Sequence, residues 1–174
     1  MKKRIFLYSL VFLIVFVPVL VLAGEFQKAE EMFYKCNYSE ALINYEKAMD
    51  KHSNNKAVCS YIQYQIAECS FLSRNWDYAE VKLNEYIKNN PESIYIKNAK
   101  ERLVSLLFFQ GRDNEALKKN TDLEKSEDNQ ISSRAYLRTA EYYLRKGKWL
   151  KSDEMLKKYA EIYKTQKIYL NSPK

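Results

Sequence analysis

The sequence predicts an all-α protein built from repeated helical hairpins, and three observations support this. The 174 residues include only three glycines and three prolines, whereas a β-rich chain of this length needs many tight turns made with those residues. Apolar residues recur at the three-and-four spacing that buries one face of a helix. Short polar turns return at nearly constant intervals. A hydrophobic fraction of 47% supplies a core and excludes wholesale disorder.

The N-terminal segment predicts export. Three basic residues at positions 2–4 precede an uncharged stretch of 19 residues at 5–23. This pattern is typical of a signal peptide, cleaved before Gly24. The alternative is a retained anchor at 1–23, because 19 apolar residues nearly span a bilayer core. Both alternatives place the remaining chain outside the cytoplasm, in the periplasm or at the outer face of the inner membrane of a bacterial envelope. Membrane contact is expected only if the segment is retained.

The charge of the chain is mild once the signal is removed. Without 1–23, 26 basic residues face 22 acidic ones, and an exported protein of this charge is not expected to bind nucleic acid. The excess lies at the end, where 145–174 holds nine basic residues and three acidic ones. This end is either a solvated helical face or a surface that contacts an anionic lipid or wall polymer.

The three cysteines do not predict a disulfide framework. An odd number leaves at least one thiol free among Cys36, Cys59 and Cys69. Cys59 and Cys69 fall on one predicted helix, about 15 Å apart, which is too far for a bridge. We therefore expect them to act as small buried apolar residues.

The turns reveal an internal repeat. They begin at Cys36, Arg74, Gly111 and Gly147, at spacings of 38, 37 and 36 residues. Each turn follows one amphipathic run and precedes another, which predicts four hairpins. The predicted domain, 24–164, divides into repeats at about 24–55, 56–91, 92–128 and 129–164, followed by a tail at 165–174.

The second repeat is the clearest and the third is the weakest. Both runs of the second repeat keep a continuous apolar stripe, and Pro91 ends it. In the third repeat Asn120 stands where the other repeats have Tyr45, Leu83 and Leu156. A polar residue at this position predicts that the third hairpin is the least stable.

The motif positions resemble those of tetratricopeptide-repeat proteins. They are a small residue midway along the first helix, an aromatic after the turn, an alanine three residues later and a closing proline: Ala29, Ala67 and Ala140; Tyr38, Trp76 and Trp149; Ala41, Ala79 and Ala116; Pro91. Val104 and Ser152 depart from the motif. The resemblance covers about 29–163, and 66–93 is its best segment. The spacing above 34 residues and the export signal are similar to those of envelope members of the family.

The resemblance implies a right-handed superhelical stack of about four helix-turn-helix repeats with a concave groove. In such a stack, a small residue lets paired helices approach closely and the aromatic fills the wedge above it. We therefore expect Trp76 and Trp149 to be core side chains rather than ligand contacts.

Residues for catalysis, cofactors or metal binding are not found. His52 is the only histidine, and no cysteine or carboxylate stands at ligand spacing from it. A phosphate-binding loop would need glycines that the chain lacks. We expect a protein that is not an enzyme and that binds no cofactor or metal.

The resemblance places one face of each first helix in the groove. Arg134, Arg138 and Arg145 fall within about 40° of one another on a helix, so they form one stripe. The proposed partner-binding residues are Tyr61, Tyr64, Arg102, Arg134, Arg138 and Arg145. This set would suit an acidic or C-terminal carboxylate-bearing peptide. The alternative is ordinary exposed ion pairs, with Glu141 as the acid between Arg138 and Arg145.

The C-terminal end is a second candidate interface. Repeat stacks close with a polar capping helix, but the tail contains Ile168, Tyr169 and Leu170. Either the last helix runs on to cap itself, or this flank is an interface, which we favour.

The function expected from these features is that of a non-enzymatic exported adaptor or scaffold. It would bind another protein of the cell envelope through its groove, and self-association is possible. The alternative is a membrane-tethered structural subunit of an envelope or motility-type assembly.

Overall fold

The computed structural model describes residues 24–52 and 54–171, with side chains described as far as residue 164. These residues form eight α-helices and contain no β-strand: α1 (Glu25–Tyr34), α2 (Tyr38–Lys51), α3 (Lys56–Leu72), α4 (Trp76–Asn89), α5 (Ile96–Phe109), α6 (Asp113–Glu124), α7 (Asn129–Arg145) and α8 (Trp149–Asn171). The predicted all-α fold is therefore confirmed. The predicted signal or anchor at 1–23 lies outside the described residues.

Four left-handed residues form the hairpin turns. They are Cys36, Arg74, Gly111 and Gly147, with φ values of 58°, 62°, 74° and 68°. At the first turn the Cys36 N–H donates to the carbonyl of Phe33 at 2.9 Å, and the Asn37 N–H donates to the carbonyl of Met32 at 2.9 Å. The same two bonds recur at the other three turns, so each first helix ends in a Schellman motif. All four predicted turns are confirmed.

The described residues divide into two compact units: unit 1 ends at Tyr86 and unit 2 begins at Ile87. In unit 1, α1 pairs with α2, and α3 covers α2. The core between these helices is formed by buried apolar side chains: Ala29, Ala41, Tyr45, Ala48, Ile62, Ile66 and Cys69. Alanines on α1 and α2 let the backbones approach, while Tyr45 and the two isoleucines fill the volume.

Unit 2 is built in the same way. Helix α5 pairs with α6, α7 packs against both of them, and α8 pairs with α7. Its core includes Val104, Leu123, Ile131 and Ala135. The Ser152 hydroxyl of α8 donates to the carbonyl of Ala140 at 3.0 Å, which satisfies a polar group inside the last hairpin.

The two tryptophans differ in burial. Trp76 is half-buried, with its ring centroid 5.6 Å from that of Phe71 in an edge-on arrangement. Trp149 is 68% exposed, so the prediction that it is a core residue is wrong. Among the described residues no helix follows α8, and Leu156 on the same helix is also 43% exposed. Trp149 therefore lies on a face that no later described helix covers, whereas Ala140 and Ser152, which face the inside of the same hairpin, are buried.

Asn120 interrupts the apolar stripe of the third hairpin in the sequence, but its side chain is fully buried in the structure. Its amide nitrogen donates to the carbonyl of Ala135 at 2.8 Å and to the hydroxyl of Thr139 at 2.9 Å, both on α7. A buried amide with its hydrogen bonds made avoids the penalty of an unsatisfied group. The low stability expected for this hairpin stays a prediction.

Candidate functional site

Two of the predicted groove arginines meet at one carboxylate of unit 2. Arg134 holds Glu101 with two hydrogen bonds, at 3.0 and 2.7 Å, and Arg138 donates to the same carboxylate at 3.0 Å. The hydrogen bond to Glu101 raises the pKa of Arg134, although partial burial opposes this. These bonds join α7 to α5, so both guanidinium groups are already hydrogen-bonded within the unit, although the single carboxylate balances only one of their two charges.

Arg138 also reaches the second helix of the preceding hairpin. Its other guanidinium nitrogen donates to the side-chain oxygen of Asn120 on α6 at 2.7 Å. The amide of Asn120 therefore accepts from one α7 residue and donates to two others. Because the guanidinium of Arg138 is mostly buried and bonded at both ends, we interpret it as a structural cation that fixes α7 on α5 and α6.

Unit 1 contains a corresponding network. The hydroxyl of Tyr61 on α3 donates to Glu30 on α1 at 2.9 Å, and Tyr45 on α2 donates to the same carboxylate. The amide of Gln65 donates to the hydroxyls of Tyr61 at 2.7 Å and of Tyr45 at 3.3 Å. Burial, together with the hydrogen bond to Glu30, raises the pKa of Tyr45 above its ordinary value.

The donors of the two networks, and one acceptor in each, occupy matching positions of the repeat. Tyr61 and Arg134 each stand 13 residues before the left-handed residue that ends their helix, and Gln65 and Arg138 each stand nine before it. Tyr45 and Asn120 each stand nine residues after such a residue. We call these networks the interhelix clamps: Glu30, Tyr45, Tyr61 and Gln65 form clamp 1, and Glu101, Asn120, Arg134 and Arg138 form clamp 2.

The clamps change the interpretation of the predicted groove. Three predicted site residues attach the first helix of one hairpin, α3 or α7, to the hairpin before it: Tyr61, Arg134 and Arg138. The alternative of ion pairs named the wrong acid for Arg138, because α5 lies alongside α7 and brings Glu101 to it in place of Glu141. Sequence reasoning missed Glu101 and Glu30 because spacing along one helix carries no signal about the neighbouring helix.

The other predicted groove residues are also engaged within their units. The ring of Tyr64 lies 5.7 Å from that of Tyr86, and the Arg145 guanidinium lies 6.0 Å from the centre of the Phe108 ring. Arg102 is half-buried on α5 and makes contacts of its own. A role of these side chains in binding a partner stays a prediction.

An uncovered apolar face runs along α8. Trp149, Leu156 and Tyr163 are spaced by seven residues, which places them on one side of the helix, and they are 68%, 43% and 58% exposed. Tyr159 stacks on Tyr163 with ring centroids 6.3 Å apart. We call Trp149, Leu156 and Tyr163 the terminal flank. Leu150, 89% exposed, lies off this stripe on the same helix.

The predicted C-terminal interface adjoins this flank along the chain. Ile168, Tyr169 and Leu170 belong to α8, which continues as one helix to Asn171. Their side chains lie outside the described residues. Within the described part, α8 does not fold back, and the terminal flank is exposed despite the length of the helix. The interface assignment for these three residues stays a prediction.

The three thiols lie in different environments, and Cys36 is not the small buried residue that the sequence predicted. Cys36 is exposed, the Cys59 thiol donates to the carbonyl of His52 at 3.0 Å, and burial raises the pKa of the Cys69 thiol to about 12. Within residues 24–52 and 54–171, no three His, Cys, Asp or Glu side chains are grouped so that they could hold a metal ion. No helix in the same residues has both the length and the apolarity needed to cross a membrane.

Comparison with known proteins identifies the fold. No protein-family model and no curated protein matches the sequence. The structure is similar to the crystal structure of the apo form of RapI, a TPR-like helical repeat protein, with a TM-score of 0.52 and 16% identity. The similarity covers 86% of this chain and 70% of RapI. At this identity the likeness shows the fold alone: this chain has a TPR-like helical repeat fold.

Proposed function

We propose that this chain is a non-enzymatic, exported scaffold that binds another protein of the bacterial cell envelope. The observation that carries the proposal is the terminal flank, an apolar face of α8 that the described helices leave exposed. Helical repeat folds bury their apolar faces by stacking, so an exposed face of this kind is a surface for another helix. The N-terminal pattern at 1–23 supports export, and an exported scaffold would meet its partner in the envelope.

The predicted groove residues remain secondary candidates within this proposal, in each unit by itself. Tyr64 contributes an aromatic group in unit 1, and Arg102 and Arg145 contribute cationic groups in unit 2. Arg134 and Arg138 contribute only if a ligand displaces or extends their bonds to Glu101. Breaking a partly buried ion pair is costly, so the terminal flank is the stronger candidate.

Crosslinking in intact cells tests the proposal. A photoreactive amino acid at Trp149 should capture one specific protein, and the same amino acid at Leu150 should capture far less of it. The matched pair separates flank contact from general exposure of α8. Capture of the same protein from Tyr64 and not from Trp149 would move the binding surface to the groove. Loss of specific capture at both places would contradict a scaffold function.

The 19-residue uncharged run at 5–23 favours a second candidate, a membrane-tethered structural subunit of an envelope or motility-type assembly. Size exclusion of the protein with and without 1–23 separates the two functions. A discrete monomer after export supports the scaffold, and a detergent-dependent assembly that needs 1–23 supports the subunit.

A further inference from the structure

Two hairpins of this chain are each covered by the first helix of the next hairpin, and both covering helices use the same chemistry. In α3, Ile62 and Ile66 are buried against α1 and α2, and in α7, Ala135 is buried against α5 and α6. The buried residues of each helix form a stripe, and the residue directly before each position of the stripe donates a hydrogen bond. These donors are Tyr61 and Gln65 in α3 and Arg134 and Arg138 in α7. Each donor forms its hydrogen bond with a residue of the preceding hairpin. We call a helix that combines such a buried stripe with these donors a covering helix.

The α7–α8 hairpin has residues at two of these acceptor positions, and no helix among the described residues covers it. Glu141 stands six residues before Gly147, as Glu30 stands six before Cys36. Leu156 stands nine residues after Gly147, the position that Tyr45 and Asn120 occupy in the covered hairpins. Glu141 is exposed and has no hydrogen-bond or ion-pair partner among the described residues. An apolar face and an unpaired carboxylate thus lie at the positions that a covering helix meets elsewhere in this chain.

We propose that the terminal flank and Glu141 dock an amphipathic helix of a partner protein, in the manner of a covering helix. The partner helix carries an apolar stripe at i and i+4 and an arginine directly before the first stripe residue. The stripe packs on Leu156 and Trp149, and the arginine pairs with Glu141 at the position where Tyr61 donates to Glu30, with a guanidinium–carboxylate bond of the kind that Arg134 makes to Glu101. This inference rests on the proposed function and specifies the partner's chemistry.

A second copy of the chain fits this surface less well. The exposed side chains of α1 are mostly polar (Gln27, Lys28, Glu31 and Tyr34), so head-to-tail stacking would place a polar face on the apolar flank. Pairing of two flanks about a two-fold axis would repeat the same charge, Glu141, on both sides. Like charges across an interface oppose association. An arginine-bearing helix supplies both the apolar area and the missing positive charge.

Defined peptides test the inference by calorimetry on protein expressed from its complete sequence. The first probe has the 17-residue sequence of α3 with alanine at both cysteines and Tyr61→Arg. The second probe differs only by Tyr61→Glu. The third keeps Tyr61→Arg but breaks the stripe with Ile62→Lys and Ile66→Lys. The first probe should bind, the second should bind about tenfold more weakly because it loses a charge-assisted hydrogen bond, and the third should not bind.

Protein variants locate the binding. Leu156→Lys and, as an exposed and structurally safer change, Trp149→Ala should each weaken binding of the first probe, whereas Leu150→Lys should not. Glu141→Arg should lose the first probe and regain the second, because the charges are exchanged. Equal binding of all three probes, or binding unchanged in Glu141→Arg and Trp149→Ala, would overturn the proposal.

The remaining outcomes are also decisive. A dimer that Leu156→Lys dissociates would make a second copy the occupant and would refute the partner helix. Failure of the first probe, with in-cell crosslinking at Trp149 intact, would refute the arginine-bearing helix while the scaffold function stands. Failure of specific crosslinking at every surface would refute the scaffold function itself.

Discussion

The two interhelix clamps join a helix to the preceding hairpin at the same positions, but with different side chains. In clamp 1 the covering helix donates from a phenol and an amide to one carboxylate and a second phenol, while in clamp 2 it donates from two guanidinium groups to a carboxylate and an amide. The donors occupy identical positions relative to the left-handed turn residue. The repeat therefore fixes where a polar contact between hairpins forms, and it leaves the residue type free.

The largest effect is expected from removing the aromatic of clamp 1. Tyr45→Ala leaves a cavity at a fully buried position and should lower the free energy of unfolding by about 3–5 kcal/mol. Tyr45→Phe, which keeps the ring and loses only the hydroxyl, should lower it by about 0.5–1.5 kcal/mol. Urea denaturation followed by circular dichroism measures both. Equal losses for the two variants would show that the hydrogen bond, rather than the packing of the ring, dominates clamp 1.

Clamp 2 should respond mainly to its buried donor. Arg138→Ala leaves the side-chain oxygen of Asn120 without its hydrogen-bond donor and removes one hydrogen bond to Glu101. The free energy of unfolding should therefore fall by about 1–3 kcal/mol. Arg134→Ala removes a half-exposed guanidinium and should cost less than about 1 kcal/mol. The same denaturation series tests the ranking. A larger loss for Arg134→Ala would contradict the assignment of Arg138 as the structural cation.

The sequence predicted the turns because each of them depends on local chemistry. A helix that ends in a Schellman motif needs a residue with positive φ, and Gly111 and Gly147 adopt it without strain. Spacing from those glycines then located Cys36 and Arg74, which are not obvious left-handed residues. Local signals of this kind are sufficient to predict an all-α repeat fold.

The clamps could not be predicted because they depend on which helices lie side by side. Glu30 and Glu101 are two of 22 acidic residues, and they stand at different distances from their turn residues. Asn120 looked like a defect in an apolar stripe, yet its buried amide is the centre of clamp 2. Tyr61, Arg134 and Arg138 were among the six residues that the sequence assigned to a partner-binding groove, and the structure shows all three bonded to the preceding hairpin.

The two tryptophans allow a second comparison, between the half-buried Trp76 of the second hairpin and the exposed Trp149 of α8. Trp76→Ala should lower the free energy of unfolding by about 1.5–3 kcal/mol, since it removes a half-buried ring that packs on Phe71. Trp149→Ala should change it by no more than about 0.5 kcal/mol, because the ring is mostly exposed. Thermal and urea denaturation of the isolated protein measure both. A comparable loss for Trp149→Ala would show that another part of the chain covers the terminal flank.

The smallest effect is a pH dependence that distinguishes a phenol contact in unit 1 from the guanidinium contacts in unit 2. The Tyr78 hydroxyl on α4 donates to Glu46 on α2 at 2.6 Å. Burial and, to a smaller extent, this hydrogen bond raise the pKa of Tyr78 to about 12. The unfolded chain ionises this phenol near pH 10, so the native state favours the neutral form. The stabilising contribution is fully present below pH 10 and is lost as the pH rises towards 12.

Tyr78→Phe isolates this contribution. The difference in free energy of unfolding between the natural protein and Tyr78→Phe should therefore shrink between pH 10 and 12, and it should be constant between pH 7 and 9. The matched comparison is Arg134→Ala, whose difference should stay level through pH 11 because the bond to Glu101 raises the pKa of a guanidinium that is already charged there. Urea denaturation at each pH gives both differences. A level difference for Tyr78→Phe through pH 12 would mean that its hydroxyl does not depend on Glu46, and a falling difference for Arg134→Ala would mean that alkaline loss comes from the fold as a whole.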